Sequence, residues 1–217
     1  MSFTVIGAPL SPFVRKVHLL MKLKGLEFTV DPVSPFDLPE GYETINPMKR
    51  IPVLKHDDKT ICDSGVICHY LDALYPTPRL VPEDPALAAQ VNWFEKLADY
   101  ELAPAITFTA FRHRVIYRAM NKAFDEKEIS QIIADKTPPL FDYLEAQIAQ
   151  QDFLVGDQMS LADIAVVSQF INASLGEENV DKARWPNLTR YVNTHFDSEL
   201  FAPTLAKARA IVAKMLG

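Results

Sequence analysis

The sequence predicts a small α/β domain with the element order βαβ-ββα, followed by an all-α helical domain. Three observations predict this fold class. Residues 1–76 alternate short β-prone runs with helical periods, four prolines fall within residues 76–85, and only helical periods follow. Clusters of proline interrupt regular structure and are typical of connections between domains. We therefore expect domains over residues 1–76 and 86–217, joined by a linker over residues 77–85.

The first domain begins with two strands on either side of a helix. "FTVIG" (residues 3–7) and "EFTVDPV" (27–33) are β-prone. Between them, apolar residues recur at helical spacing from Pro12. "IPVL" and "TICD" flank the polar tetrapeptide "HDDK", which predicts a β-hairpin over residues 51–63. A helix that ends before Pro76 completes the domain.

The second domain shows only the spacing of helices. Apolar residues from Leu87 to Leu102 mark one long helix. "DEKE" (125–128) has the form of a capping box and starts another. Because proline costs about 3 kcal/mol in a helix interior but is tolerated in a first turn, we expect a helix to restart at Thr137-Pro138-Pro139. Further helices are predicted over residues 160–171 and after Pro186 and Pro203.

Composition and charge exclude several classes of function. Of the 217 residues, 48% are hydrophobic and 23% are charged, as in a globular protein with a core. No apolar run is long enough to span a membrane and no secretion signal is visible, so we expect a cytoplasmic protein without a membrane partner. The net charge is −6 and the basic residues are scattered, which argues against a nucleic-acid partner. Cys62 and Cys68 lack the spacing of a zinc or redox site, so no metal is expected.

Three short motifs in the first domain place polar groups where the chain changes direction. In Ser11-Pro12-Phe13, the serine is an N-cap candidate whose hydroxyl lies where a helix N-terminus stabilises an anion. Ile51-Pro52 opens a strand, and its X-Pro bond is a candidate cis peptide that exposes the backbone of Ile51. Asp63-Ser64 opens a helix and offers groups for the carboxylate and ammonium of an amino acid. The residues alone leave open whether the motifs are only caps and an edge-strand proline.

In order and spacing, these motifs resemble those of the cytosolic glutathione S-transferase superfamily, of the serine type. "GDQMSLADIAV" (156–166) adds a matching motif in the second domain, so the resemblance covers essentially the whole chain. It implies a thioredoxin-like first domain, glutathione as co-substrate without a metal, and a two-fold homodimer. "NPMKRIPVL" (46–54) also resembles zeta-class members, but the absence of their Ser-Ser-Cys-Ser run disfavours an isomerase.

The resemblance implies that the first two motifs hold the cysteinyl part of glutathione. Ser11 would be the catalytic residue and would donate a hydrogen bond to the sulfur, while Phe13 would line the pocket of the sulfur. Ile51, beside a cis Pro52, would pair its backbone with the cysteinyl residue. Because serine cannot form a mixed disulfide, thiol exchange of the glutaredoxin type is disfavoured.

The ends of glutathione are assigned by the same resemblance. Asp63 and Ser64 would bind the γ-glutamyl end, and Arg50 lies where relatives place a polar side chain on the peptide. Residues 36–45 offer no basic group for the glycine carboxylate. This role is left to Lys49 or to a water molecule.

The second domain carries a capping motif and a candidate second-substrate surface. Ser160 with Asp163 approximates a capping box, which predicts a role in stability. Phe108, Phe111 and Arg112 are candidate second-substrate residues, and the positive charge of Arg112 favours an electrophile with an anionic group. The alternative interpretation places the aromatic residues in the core and the basic ones on a solvated helix face.

The predicted function is that of a glutathione transferase, which conjugates the thiolate of glutathione to a small electrophile. One alternative is a glutathione-dependent isomerase or peroxidase with the same site. The other is a non-catalytic protein-binding scaffold that keeps only the fold. The presence of all three motifs argues against the scaffold, because a scaffold has no need of them.

Overall fold

The computed structural model describes residues 2–217, which divide into one unit ending at Ala88 and a second from Ala89 to Gly217. The elements of the first unit are the strands β1 (Phe3–Ile6), β2 (Thr29–Asp31), β3 (Val53–His56) and β4 (Lys59–Cys62) and the helices α1 (Pro12–Leu23) and α2 (Ser64–Leu74). A 3₁₀ turn, Tyr42–Thr44, lies between β2 and β3. The predicted order βαβ-ββα is confirmed.

The strands form one mixed sheet in the order β2-β1-β3-β4. β1 pairs parallel with β2 and antiparallel with β3, and β3 pairs antiparallel with β4. Ile6 lies opposite Val53, and Val53 lies opposite Cys62. The chain therefore leaves β1, enters β3 and leaves β4 at the same end of the sheet. This register brings the three polar motifs of the sequence to the same end of the sheet, which is the edge referred to below.

A buried ion pair fixes the proline-rich stretch to the first unit. Nζ of Lys24, just after α1, lies 2.7 Å from Oδ1 of Asp72 in α2 and donates to the carbonyl of Pro78. The carboxylate of Asp72 also accepts the backbone N–H groups of Leu80 and Val81. Lys24 and Asp72 thus both form hydrogen bonds with the backbone of the chain that follows α2. This explains why the first unit extends beyond residue 76.

The second unit, residues 89–217, has helices as its regular structure. Helix α3 (Pro85–Leu97) continues directly into the π-helical segment Ala98–Tyr117. The remaining helices are α4 (Glu126–Ile148), α5 (Leu161–Leu175), α6 (Pro186–Phe196) and α7 (Ala202–Leu216). α5 is the centre of the unit, because almost all of its residues are buried and it packs against the π-helical segment, α6 and α7. Within residues 2–217, none of the helices is both long and apolar enough to cross a membrane.

The expected helix restart at residues 137–139 is wrong, because α4 runs through them without a break. Its two prolines cannot donate to the carbonyls of Ala134 and Asp135. Both of these residues are exposed, so water can solvate the carbonyls. On the other face, Ile133 and Phe141 are buried in the core of the unit. The apolar packing of α4 therefore outweighs the penalty of the prolines.

Candidate active site

The loop after β1 lies directly against the start of β3. Gly7 has a φ of 153°, and a Cβ at this position would lie 2.5 Å from Cγ2 of Val14 and 3.2 Å from Cβ of Ile51. Glycine permits both this conformation and this close approach. The tight loop therefore places the N-terminus of α1 beside Ile51.

Ser11 caps α1 with its oxygen and keeps its hydroxyl proton available. Oγ accepts a long hydrogen bond, 3.4 Å, from the backbone N–H of Val14. Within residues 2–217 the hydroxyl donates to no acceptor. Pro12 is the first helical residue, as predicted. Ser11 is therefore a cap whose O–H can still donate to a ligand at the positive end of the helix dipole.

Ile51 carries two backbone groups that have no hydrogen-bond partner within residues 2–217. The Ile51-Pro52 peptide bond is cis, as predicted. Ile51 is only 9% exposed, yet neither its N–H nor its C=O forms a hydrogen bond with any described residue. Buried backbone groups are nearly always paired, so this donor and acceptor mark a place for a ligand.

Asp63 opens α2 in a conformation that residues other than glycine rarely adopt. Its φ is 77° and its ψ is 132°, which costs on the order of 1–3 kcal/mol. Oδ1 accepts the N–H groups of Gly65 and Val66 at 2.9 and 3.2 Å, while Oδ2 accepts from no described residue. Ser64, the first residue of α2, is buried. The strain and the available oxygen both point to a ligand at this helix end.

The other residues predicted for this edge differ in exposure. Phe13 is half-buried in the first turn of α1. The side chains of Lys49 and Arg50 are exposed, and Nζ of Lys49 lies 3.7 Å from Glu43. Two buried residues that sequence reasoning missed, Tyr42 and Asn46, also support this edge. The dipeptide Asn46-Pro47 is a turn signal that draws attention to Asn46, whereas no local signal marks Tyr42.

Neither cysteine offers a reactive thiol at this end of the sheet. Burial, followed by the carboxylate of Asp63, raises the pKa of the Cys62 thiol. Its Sγ donates to the carbonyl of Ile45 at 3.4 Å, and Cys68 is fully buried. Across the described residues, no group of three or more His, Cys, Asp or Glu side chains is arranged to hold a metal ion.

The candidate second-substrate residues lie on the π-helical segment Ala98–Tyr117 of the second unit. Phe108 and Arg112 are partly exposed, and the guanidinium of Arg112 lies 4.4 Å from the centre of the Phe108 ring. Phe111 is 5% exposed, and a Cβ on Gly176 would come 2.7 Å from its backbone nitrogen. Phe111 therefore packs in the helical core, while Phe108 and Arg112 form a cation–aromatic surface.

The capping residues of α5 form a buried network. The carboxylate of Asp163 is fully buried, and its Oδ2 accepts both the N–H and the hydroxyl of Ser160 at 2.9 Å. Oδ1 accepts the N–H of Leu154 and the hydroxyl of Tyr191, both at 2.8 Å. Asp163 thus joins the loop before α5, the start of α5 and helix α6.

Comparisons with known proteins identify the family. The family model for the glutathione S-transferase N-terminal domain matches residues 5–79, and that for the C-terminal domain matches residues 108–199. Together the two matches cover most of the chain. The chain therefore belongs to the glutathione S-transferase superfamily, and the predicted thioredoxin-like domain followed by a helical domain is confirmed.

Individual relatives agree with this assignment. Maleylacetoacetate isomerase of Mus musculus is 27% identical over 192 residues, 86% of this chain and 82% of that protein. Glutathione S-transferase U1 of Arabidopsis thaliana is 25% identical over 199 residues, 88% of this chain and 83% of that protein. A glutathione S-transferase structure from Rhodospirillum rubrum has a TM-score of 0.84 at 24% identity, covering 93% and 91% of the two chains.

A further structure contains a glutathione analogue. The glutathione S-transferase of Methylobacterium radiotolerans, in complex with glutathione sulfonate, has a TM-score of 0.76 at 26% identity, covering 94% of this chain and 95% of that one. By family, the present chain is an enzyme of the glutathione transferase type, as predicted.

Proposed function

We propose that this chain conjugates the thiolate of glutathione to a small electrophile, with Ser11 as the residue that activates the thiol. The observation that carries this proposal is the convergence of three ligand-ready groups at one end of the sheet. These are the hydroxyl of Ser11, the backbone N–H and C=O of Ile51, which have no partner among the described residues, and the carboxylate of Asp63, whose backbone is strained. The complex of the Methylobacterium radiotolerans relative with glutathione sulfonate supports glutathione as the ligand.

The groups at this end of the sheet are complementary to the parts of glutathione. The N–H and C=O of Ile51 pair with the backbone of the cysteinyl residue, as in the addition of a strand. Asp63 binds the ammonium of the γ-glutamyl residue, and the helix N-terminus at Ser64 binds its carboxylate. Phe13 lines the pocket of the sulfur, and Arg50 contacts the peptide. Lys49 or a water molecule meets the glycine carboxylate.

The energy needed to ionise the thiol matches what Ser11 and its helix supply. A free thiol with a pKa of about 8.5 is only about 3% thiolate at pH 7. Lowering this pKa by about two units requires roughly 2.7 kcal/mol. A hydrogen bond to a charged acceptor contributes about 1.5–3 kcal/mol and the helix N-terminus about 0.3–1 kcal/mol. The proton leaves to solvent, and the thiolate forms a C–S bond to the electrophilic carbon without a separate general base. Either a leaving group departs from that carbon with its bonding electron pair, or the π electrons of an activated double bond move to the neighbouring atom, which takes a proton from solvent.

The direct test is the ultraviolet absorbance of the thiolate as glutathione binds at different pH values. We expect the bound thiol to ionise about two pH units below the free thiol. Binding only as the neutral thiol would contradict the role of Ser11. Absence of any binding would instead favour a scaffold that keeps only the fold.

A second candidate function is glutathione-dependent isomerisation. The 27% identity to the Maleylacetoacetate isomerase of Mus musculus favours it, as does the stretch at residues 46–54. Product analysis separates the two functions, because an isomerase returns glutathione unconsumed and a transferase does not. A peroxidase would convert glutathione to its disulfide.

The assembly we propose is a cytoplasmic homodimer whose ligands are glutathione and a small electrophile, without nucleic-acid or membrane partners. The dimer is typical of the family to which the chain belongs. Sedimentation velocity at micromolar concentration distinguishes a dimer of this chain from a monomer.

The surface formed by Phe108 and Arg112 predicts a preference for anionic electrophiles. Arg112→Ala should lower kcat/KM for an electrophile with a carboxylate by about 1.5- to 5-fold, the value of one surface-exposed charge contact. For a neutral electrophile of the same size, kcat/KM should fall little, and this electrophile serves as the internal control. Equal losses for both electrophiles would show that Arg112 acts through packing on Phe108 rather than through its charge.

Because the backbone of Asp63 is strained, we expect Asp63→Gly to weaken glutathione binding without lowering the stability of the protein. Glutathione affinity should fall roughly 10- to 100-fold, because a charged hydrogen-bond partner is lost. The free energy of unfolding should stay equal or rise, since relief of about 1–3 kcal/mol of strain exceeds the few tenths lost when glycine replaces an N-cap. Calorimetric titration and thermal unfolding measure the two quantities.

The matched control is Asp125→Gly in the second unit. Asp125 caps α4 through the same pattern, accepting the N–H groups of Lys127 and Glu128, but its φ is an ordinary −98°. This substitution should lower stability slightly and leave glutathione affinity unchanged. A loss of stability in Asp63→Gly greater than that in the control would contradict the strain argument.

A further inference from the structure

Two buried side chains donate to a single backbone carbonyl just before Ile51. Oη of Tyr42 lies 3.0 Å and Nδ2 of Asn46 lies 2.8 Å from the carbonyl oxygen of Arg50. Tyr42 is 1% exposed and Asn46 is 3% exposed. A carbonyl oxygen has two lone pairs, so these two donors satisfy it completely.

The loop that carries these side chains is itself closely fixed. The backbone carbonyl of Tyr42 accepts the N–H groups of Ile45 and Asn46. Oδ1 of Asn46 accepts the N–H of Met48 at 3.0 Å, which orients the amide so that Nδ2 faces the carbonyl of Arg50. Burial, with smaller effects from Cys62 and Asp31, raises the pKa of Tyr42. Its hydroxyl therefore remains a donor at neutral pH.

Fixing this carbonyl also fixes the N–H of Ile51. The C=O of Arg50 and the N–H of Ile51 belong to one planar peptide group, in which they point in opposite directions. The N–H is the group that lacks a partner among the described residues. Two hydrogen bonds on one side of the peptide thus set the direction of an unused donor on the other side.

We propose that Tyr42 and Asn46 are positioning residues for glutathione, which hold the Arg50–Ile51 peptide so that the N–H of Ile51 meets the cysteinyl backbone. This inference rests on the proposed function. The backbone contact at Ile51 places the cysteinyl residue, and the sulfur is attached one carbon from that backbone. The two residues therefore control how well the sulfur reaches the hydroxyl of Ser11, although neither touches the ligand.

The test compares Tyr42→Phe and Asn46→Asp with Tyr70→Phe. Tyr42→Phe and Asn46→Asp each remove one donor to the carbonyl with little change of shape. Tyr70→Phe is the control, because its hydroxyl is 2.7 Å from Nδ1 of His56, at the opposite end of the sheet. Calorimetric titration gives the affinity for glutathione, thiolate absorbance gives the pH at which the bound thiol ionises, and thermal unfolding gives stability.

We expect each site variant to weaken glutathione binding by about 3- to 10-fold, the effect of one hydrogen bond. The pH midpoint of the bound thiol should rise by about 0.4–1.1 units, since the sulfur is held less well against Ser11. Tyr70→Phe should change stability to a similar degree. It should change neither the affinity for glutathione nor the pH midpoint of the bound thiol. Should one site variant not fold, the other carries the same comparison.

Two results would overturn the proposal. In the first, the wild-type protein binds glutathione as the thiolate, and both site variants have the same affinity for glutathione and the same pH midpoint of the bound thiol as the wild type. The other is an equal effect in Tyr70→Phe, which would show that any lost hydroxyl in this unit has the same consequence. If the wild-type protein binds no glutathione at all, the proposed function itself fails, and this inference fails with it.

Discussion

Ser11→Ala is expected to lower kcat/KM for the electrophile, at pH 7 and saturating glutathione, by about 3- to 25-fold. The variant loses a hydrogen bond to the charged sulfur of about 1.5–3 kcal/mol, which raises the pKa of the bound thiol by roughly one to two units. Most of the bound glutathione is then a thiol, which is not the nucleophile. Glutathione affinity should change by less than about threefold, since the contacts of Ile51 and Asp63 to the peptide remain.

The pH dependence distinguishes this mechanism from a loss of structure. As the pH rises through the raised pKa of the bound thiol, about 7.5–8.5, the variant regains thiolate, so its deficit should shrink over that range and be small by about pH 9. Ser11→Thr is the matched control, because threonine keeps both the hydroxyl and the ability to cap a helix. The same deficit at every pH, or a similar deficit in Ser11→Thr, would contradict activation by the hydroxyl. No deficit in Ser11→Ala would leave Ser11 as a cap only.

The motifs of the site could be predicted from the sequence because each coincides with a local boundary signal. Ser11-Pro12 has the composition of a helix start, Ile51-Pro52 that of a strand start, and Asp63-Ser64 that of another helix start. Their convergence depends on the sheet, in which Ile6, Val53 and Cys62 lie side by side. From the sequence, this convergence followed only from the family resemblance, because the strand register has no local signal.

Other features of the site could not be predicted because they arise from tertiary structure. The conformation of Asp63 has no compositional signal, since aspartate is a common N-cap at ordinary φ values, as Asp125 shows. Tyr42 lies in a polar stretch without a clear period, and its role depends on a carbonyl eight residues away. The prolines of α4 show the same limit, because buried contacts of Ile133 and Phe141 overrule a local preference.

Asp163→Ala is expected to lower the free energy of unfolding by about 3–5 kcal/mol, since it leaves several buried donors without an acceptor at about 1–3 kcal/mol each. These donors are the N–H groups of Leu154 and Ser160 and the hydroxyls of Ser160 and Tyr191, all within the helical unit. Burial and the adjacent carboxylate raise the pKa of Tyr191 well above its usual range, so this hydroxyl stays a donor. Thermal unfolding should show a drop of about 6–20 °C at the roughly 2–4 °C per kcal/mol of a chain of this size.

Two comparisons separate this buried network from an ordinary helix cap and from a role in binding. Asp125→Ala removes an exposed cap with two backbone donors and should cost only about 0.5–2 kcal/mol. Adding Tyr191→Phe to Asp163→Ala should recover part of the lost stability, because it removes one of the unsatisfied donors. The folded fraction of Asp163→Ala should bind glutathione as tightly as the wild type, since Asp163 contacts only the helical unit. Weaker binding by that fraction would instead give Asp163 a part in the function of the site.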